Sequence, residues 1–159
     1  MKEQDIKVFI SCVKNYFLEF DHSASLDFLQ PIVLSGIGAT SISKYILKYT
    51  ATISISGAYN GAIYVSIDEE MLSNLVRLIL DSEEVNREDL VDMAGEIVNT
   101  IAGNARRELG ADFNISVPFV ISGATINIDL PKMIAPIYIL PCKWNKQIFY
   151  LFLGLDPAL

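Results

Sequence analysis

A carboxylate and a carboxamide three residues apart, Glu96 and Asn99, stand in the segment DLVDMAGEIVNTIAGNARREL from Asp89 to Leu109. At about 100° per residue, Leu90, Ala94, Ile97, Ile101 and Ala105 share one helical face. Glu96, Asn99 and Gly103 fall roughly 180° away, on the solvent side. A neutral amide offers both a donor and an acceptor and can hold a water molecule in place. A carboxylate one turn away is a docking charge. Gly103 costs about 1 kcal/mol of helix stability relative to alanine, so its exposed place asks for a reason. Gly95 and Gly103 fit close packing of another element of this chain as well as they fit the approach of a partner. Glu96 and Asn99 also have the simpler reading of solvated residues on an amphipathic helix, and Asp92 reads as a solvated charge near the helix start. Asn104 reads as a solvated or locally hydrogen-bonded side chain.

Other chemistries find little support. His22 is the only histidine, and Cys12 and Cys142 have neither metal nor redox spacing, so they read as reduced thiols in or near a core. The loop SGIGATSIS, residues 35–43, lacks the Gly-Lys-Ser/Thr ending of a phosphate-cradling P-loop. No second acid is tied to Glu96 at a spacing that would make a hydrolytic carboxylate pair. Asp5, Glu19 and Asp21 read as helix-end and surface charges. Tyr45, Tyr49, Tyr59 and Tyr64 suit sheet faces better than base stacking.

The chain has 159 residues, 52% hydrophobic and 19% charged, which suits one globular domain with a sizeable core. A formal charge of −7 disfavours nucleic acid or an anionic membrane as partner. Glu3 and Asp5 interrupt any signal-peptide pattern, and no apolar run approaches the roughly 18 residues that span a bilayer. A cytoplasmic protein is the expectation.

The elements that must position the polar pair follow from periodicity. Glu3 to Phe20 is a predicted helix with Ile6, Phe9, Ile10, Val13, Phe17 and Phe20 facing inward. Lys44 to Ser56 reads as a strand, Gly57 to Gly61 as a hairpin turn around Asn60-Gly61, and Ala62 to Ile67 as the return strand. Asp68 is a predicted cap for a helix to about Leu80, with Leu72, Leu75, Val76 and Ile79 inward. Asn86 and Gly110 bound the helix that carries Glu96 and Asn99. Phe113 to Ser122 reads as an edge piece broken by Pro118, Ala124 to Leu130 as a half-buried strand, and Ile134 to Lys143 with Gln147 to Leu153 as a hairpin joined by Trp144-Asn145-Lys146.

The two halves resemble each other. Residues 31–36 read PIVLSG and residues 118–123 read PFVISG. Each follows a long helix and precedes a strand, a hairpin and a return strand, with a separation of 87 to 88 positions. Moved back by 87, Glu96 and Asn99 land on Phe9 and Cys12. The polar pair belongs to one half only, within an expected single domain of repeats at roughly 3–67 and 87–156.

Asp92-x-x-x-Glu96-x-x-Asn99 on a helix of a pseudo-duplicated domain resembles the CheC/CheX/FliY family of chemotaxis phosphatases, and the single pair is most similar to its CheX branch. Pro118 stands somewhat closer to Asn99 than the proline that often follows the motif in this family. The resemblance implies an α+β, CheC-like fold, with pseudo-duplicated helix-strand-hairpin units forming an antiparallel sheet and long helices packed on one side. It implies hydrolysis of the aspartyl phosphate of a CheY-like response regulator, ending a chemotaxis signal. The catalytic residues would be Glu96 and Asn99: Asn99 orients the attacking water, and Glu96 pairs with a lysine of the regulator. The chain would need no cofactor of its own, since Mg2+ is expected on the regulator. A homodimer with a sheet continued across a two-fold axis, through the strand near Ile134–Leu140 or its neighbour, is also expected. The alternative is a non-catalytic regulator-binding module or flagellar-switch adaptor of the same fold.

Overall fold

The computed structural model describes residues 1–21, 26–35, 40–123 and 127–159. The elements in chain order are α1 (Glu3–Phe20), β1 (Leu26–Phe28), β2 (Ile32–Leu34), β3 (Thr40–Ser41), a 3-10 turn (Ser43–Tyr45), β4 (Tyr49–Gly57), β5 (Tyr59–Ile67), α2 (Glu69–Leu80), α3 (Arg87–Leu109), β6 (Phe113–Ile115), β7 (Phe119–Ser122), β8 (Asp129–Leu130), β9 (Ile137–Trp144) and β10 (Gln147–Pro157). The fold is α+β. One antiparallel sheet runs β1-β9-β10-β5-β4-β6, with β2 also on β9 and β7 also on β4, and β3 pairs with β8 separately.

Alternation along the strands gives this sheet two different faces. Ala51, Ile53, Ile55, Ile63, Val65, Leu151 and Leu153 join the buried residues of all three helices in the main core. Ile137, Ile139 and Phe152 point the other way, into a second cluster with Ile42 and Leu130. The helices therefore lie on one side of the sheet.

The registers repeat between the halves. Ile32 pairs with Ile139 and Val33 with Tyr138 on one side. Phe119 pairs with Thr52 and Val120 with Ala51 on the other, the same partners after a shift of 87 positions. β1 against β9 and β6 against β4 obey the same shift, Leu26–Trp144 matching Phe113–Gly57. Each half thus lays its short strands beside the hairpin of the other.

Several local expectations are corrected. The strand predicted from Lys44 begins at Tyr49, because the N–H groups of Tyr45 and Ile46 close a 3-10 turn onto the carbonyls of Ile42 and Ser43. Asn60-Gly61 is not the hairpin turn. Both residues lie inside β5, opposite Asp156 and Leu155 of β10. The chain reverses around Ala58, whose N–H donates to Asp112 and whose carbonyl accepts from Ala158. Ile79, expected to face inward, is 39% exposed. α2 ends one residue later, with Asp81 in the left-handed region, and only Met71, Leu72, Leu75 and Val76 are buried. Asp68 sits at the N-cap of α2 but makes no side-chain capping bond. The hairpin of β9 and β10 turns on two residues, Asn145 and Lys146, both at positive φ, and Trp144 belongs to β9. β9 is flanked on both sides, so the free sheet edge belongs to its neighbours β1 and β2. Of the strand predicted over Ala124 to Leu130, only β8 is formed among the described residues, and residues 124–126 lie outside them, as does His22.

Gly61 has a backbone reason of its own. Its φ is +148°, and a Cβ there would stand 1.9 Å from the carbonyl oxygen of Gly154. Gly61→Ala is expected to lose more than about 2 kcal/mol in urea unfolding. A near-neutral result would contradict this strand pairing.

Candidate active site

Helix α3 has reciprocal capping at its start. The Asn86 amide oxygen accepts from the Asp89 N–H at 2.9 Å, and the Asp89 carboxylate accepts from the Asn86 N–H at 3.1 Å. The helix runs for 23 residues and ends at Gly110, whose φ of +108° suits glycine and whose N–H donates to the Arg106 carbonyl. Leu90, Ala94, Ile97, Val98, Ile101, Ala102 and Ala105 are buried against the sheet and the other helices. Each fully buried Ile or Val contributes roughly 1.5–3 kcal/mol to holding that face down. The opposite face is fixed by the same packing.

Glu96 and Asn99 are both exposed on that opposite face. They line one open depression of about 470 Å³ with Asp92, Gly95, Pro118 and Phe119. The Asn99 amide has no hydrogen-bond partner among the described residues, so its donor and acceptor groups are available to solvent or to a partner. Glu96 is held from within the helix: Thr100 donates its hydroxyl proton to Oε1 at 3.1 Å. Asp92 is exposed and shares the depression. Arg106 and Arg107 occupy the last turn of α3, where the helix dipole favours cations, and Arg107 donates to Asn104.

The two helix glycines have different surroundings. A Cβ on Gly95 would meet Pro118 Cγ and Val120 Cγ2, each at 3.8 Å, so this position forms a floor against which β7 packs. A Cβ on Gly103 would meet none of the described residues within 4 Å. A Cβ at 95 would therefore make ordinary contacts with Pro118 and Val120, and one at 103 would make none among the described residues.

Some neighbours of the pair were not singled out by spacing. Tyr16 of α1 is buried and donates weakly to Met93 Sδ at 3.9 Å. Burial first, then Glu96 and Glu19, pushes its phenol far above the usual range, so it stays neutral beside the Glu96 carboxylate. Val117 and Phe119 flank Pro118 and are 84% and 56% exposed. They lie in an edge segment too short for periodicity to assign a face. Cys12, the counterpart of Asn99 in the first half, is buried. Desolvation, with Glu108 adding and Arg107 opposing, raises its thiol to about 11.

The antiparallel sheet with helices on one face is a CheC-like fold, and its longest helix bears an outward acid–amide pair. The sequence profile described as Chemotaxis phosphatase CheX matches residues 49–142, more than half of the chain. The chain belongs to that family. Among solved structures it is similar to a chemotaxis protein CheX from Desulfovibrio desulfuricans, with 25% identity, a TM-score of 0.78, and coverage of 96% of this chain and 99% of that one. It shares its fold with the chemotaxis protein CheX of Vibrio vulnificus, at 22% identity and a TM-score of 0.76, over 96% and 99% of the two chains. It also shares it with a chain of the CheX-CheY-BeF3-Mg2+ complex from Borrelia burgdorferi, at 19% identity and a TM-score of 0.73, over 95% and 97%. No curated protein sequence matches the chain.

Since no described residue stands within 4 Å of a Cβ at position 103, Gly103→Ala is expected to raise stability by up to about 1 kcal/mol. Thermal or urea unfolding reads this directly, and a destabilised variant would show that the position has a structural task.

Proposed function

We propose that this protein hydrolyses the aspartyl phosphate of a CheY-like response regulator and so ends a chemotaxis signal. The observation that carries this reading is the Asn99 amide, exposed, without a hydrogen-bond partner among the described residues and held by a packed helix beside Glu96. The family assignment supports it, and so does the CheX-CheY complex formed by the similar Borrelia chain.

An acyl phosphate is already activated, so its hydrolysis asks mainly for positioning and charge stabilisation. In this reading the Asn99 side chain enters beside the phosphoryl group and holds a water in line with the bond to be broken. The water oxygen bonds to phosphorus as the bond to the aspartyl oxygen breaks. The electron pair returns to the regulator's carboxylate, and the water's protons leave with inorganic phosphate and solvent. A neutral amide does this without repelling the phosphoryl oxygens, which a carboxylate at position 99 would do. Glu96 pairs with a regulator lysine and sets the docking geometry, with Thr100 holding its carboxylate. We assign Mg2+ to the regulator, where it neutralises phosphoryl charge. On this chain, no group of three or more potential metal ligands occurs among the described residues. No helix among them is long and apolar enough to cross a membrane. We assign the protein to the cytoplasm, as a homodimer that uses a free sheet edge such as β2.

The test is the decay of a phosphorylated receiver with and without the protein. Asn99→Ala is expected to slow stimulated hydrolysis on the order of 100-fold while docking persists. Glu96→Ala should weaken docking as well as turnover. Docking by the wild type with no acceleration of decay would instead make the protein an adaptor. Unchanged affinity in Glu96→Ala would remove its assigned role.

A further inference from the structure

Beside the polar pair stands a feature that the phosphatase reading does not use. Val117, Pro118 and Phe119 form an apolar shoulder at the start of β7, and Val117 and Phe119 are among the more exposed large apolar side chains of the chain. Pro118 and Phe119 line the same depression as Glu96 and Asn99. The shoulder is firmly held. β7 is paired through Phe119–Thr52 to Tyr49–Ser122, and Pro118 and Val120 stand against the floor at Gly95. The Ser116 hydroxyl donates to the Val117 carbonyl and accepts from the Ser54 N–H, tying the preceding turn to β4.

We infer that Val117 and Phe119 are the apolar seat of the response-regulator receiver, and that they select receivers whose phosphorylated aspartate is bordered by an apolar surface. This rests on the function proposed above. Continuity argues for it: a body brought close enough to reach Asn99 covers Pro118 and Phe119, because one depression holds all three, and Val117 adjoins them in the chain. A second copy of this chain placed here would cover Glu96 and Asn99 and close the site, so the receiver is the occupant that leaves the site useful. The division of labour follows from the chemistry. Glu96 and Asn99 offer directional polar contacts, while the shoulder supplies non-directional affinity through area removed from water.

The test compares Phe119→Ala and Val117→Ser with wild type, using a receiver loaded with Mg2+ and beryllofluoride for affinity and the phosphorylated receiver for turnover. Both side chains are exposed, so the thermal midpoint should not move. Phe119→Ala is expected to weaken Kd and raise KM about tenfold, with kcat at saturation kept within about twofold. Asn99→Ala should do the reverse, losing kcat with Kd largely kept. Unchanged Kd and KM in both shoulder variants, with Asn99→Ala inactive, would overturn the seat and leave the phosphatase reading standing. An Asn99→Ala protein as active as wild type would overturn the phosphatase reading itself. A shoulder variant that turns a dimer into a monomer in sedimentation, with receiver affinity unchanged, would make the shoulder a contact between copies and overturn the inference.

Discussion

Helix α3 can lie on its sheet in only one rotation. Its buried residues form a continuous stripe from Leu90 to Ala105, and the polar pair stands on the far side. Turning the helix by one residue, about 100°, would carry Glu96 toward the core and bring buried aliphatic side chains into water. Both changes are costly, the first because an unpaired carboxylate strongly resists burial. The apolar packing thus acts at a distance: it aims an amide outward. Asn86 and Asp89 fix where the helix starts, Gly110 fixes where it stops, and the sheet beneath fixes its rotation.

The equivalent registers of the two halves show how the same framework produces one site. β2 lies on β9 as β7 lies on β4, yet the helices above them differ in their side chains. Phe9 and Cys12 are buried at the positions that match Glu96 and Asn99. Val8 stands where α3 has Gly95, the residue against which Pro118 and Val120 pack. On the α3 side Pro118 and Val120 stand over Gly95 and form one wall of the depression. On the α1 side Val33, which matches Val120, is 56% exposed. The framework repeats, and the surface chemistry placed on it does not.

The long helices and the outward placement of Glu96 and Asn99 were legible because periodicity over five or six turns leaves little freedom. The edge character of the Pro118 segment was legible too, because proline cannot donate to a ladder. Short-range signals read less well. Asn60-Gly61 carries the strongest local turn signature in the chain, but Gly61 is needed where β5 passes close to Gly154, a contact between residues far apart in sequence. Lys44 to Leu47 has strand-like composition, yet the backbone bonds locally in a 3-10 turn. Ile79 fits the inward pattern of α2 but falls in its last turn, just before the left-handed Asp81. At the site, the burial of Tyr16 against Met93 and the placing of Pro118 and Phe119 beside the polar pair depend on which elements become neighbours. No spacing along the chain encodes that.

The proposed hydrolysis depends on the Asn99 amide reaching a phosphoryl group that another protein carries. The most direct measurement is a crystal structure of this chain bound to its receiver, with a phosphoryl mimic on the receiver's aspartate. The account predicts the Asn99 side chain beside the mimic, at a distance that admits one bridging water, with Glu96 against a receiver lysine. A receiver seated elsewhere, with Asn99 facing open solvent, would contradict it.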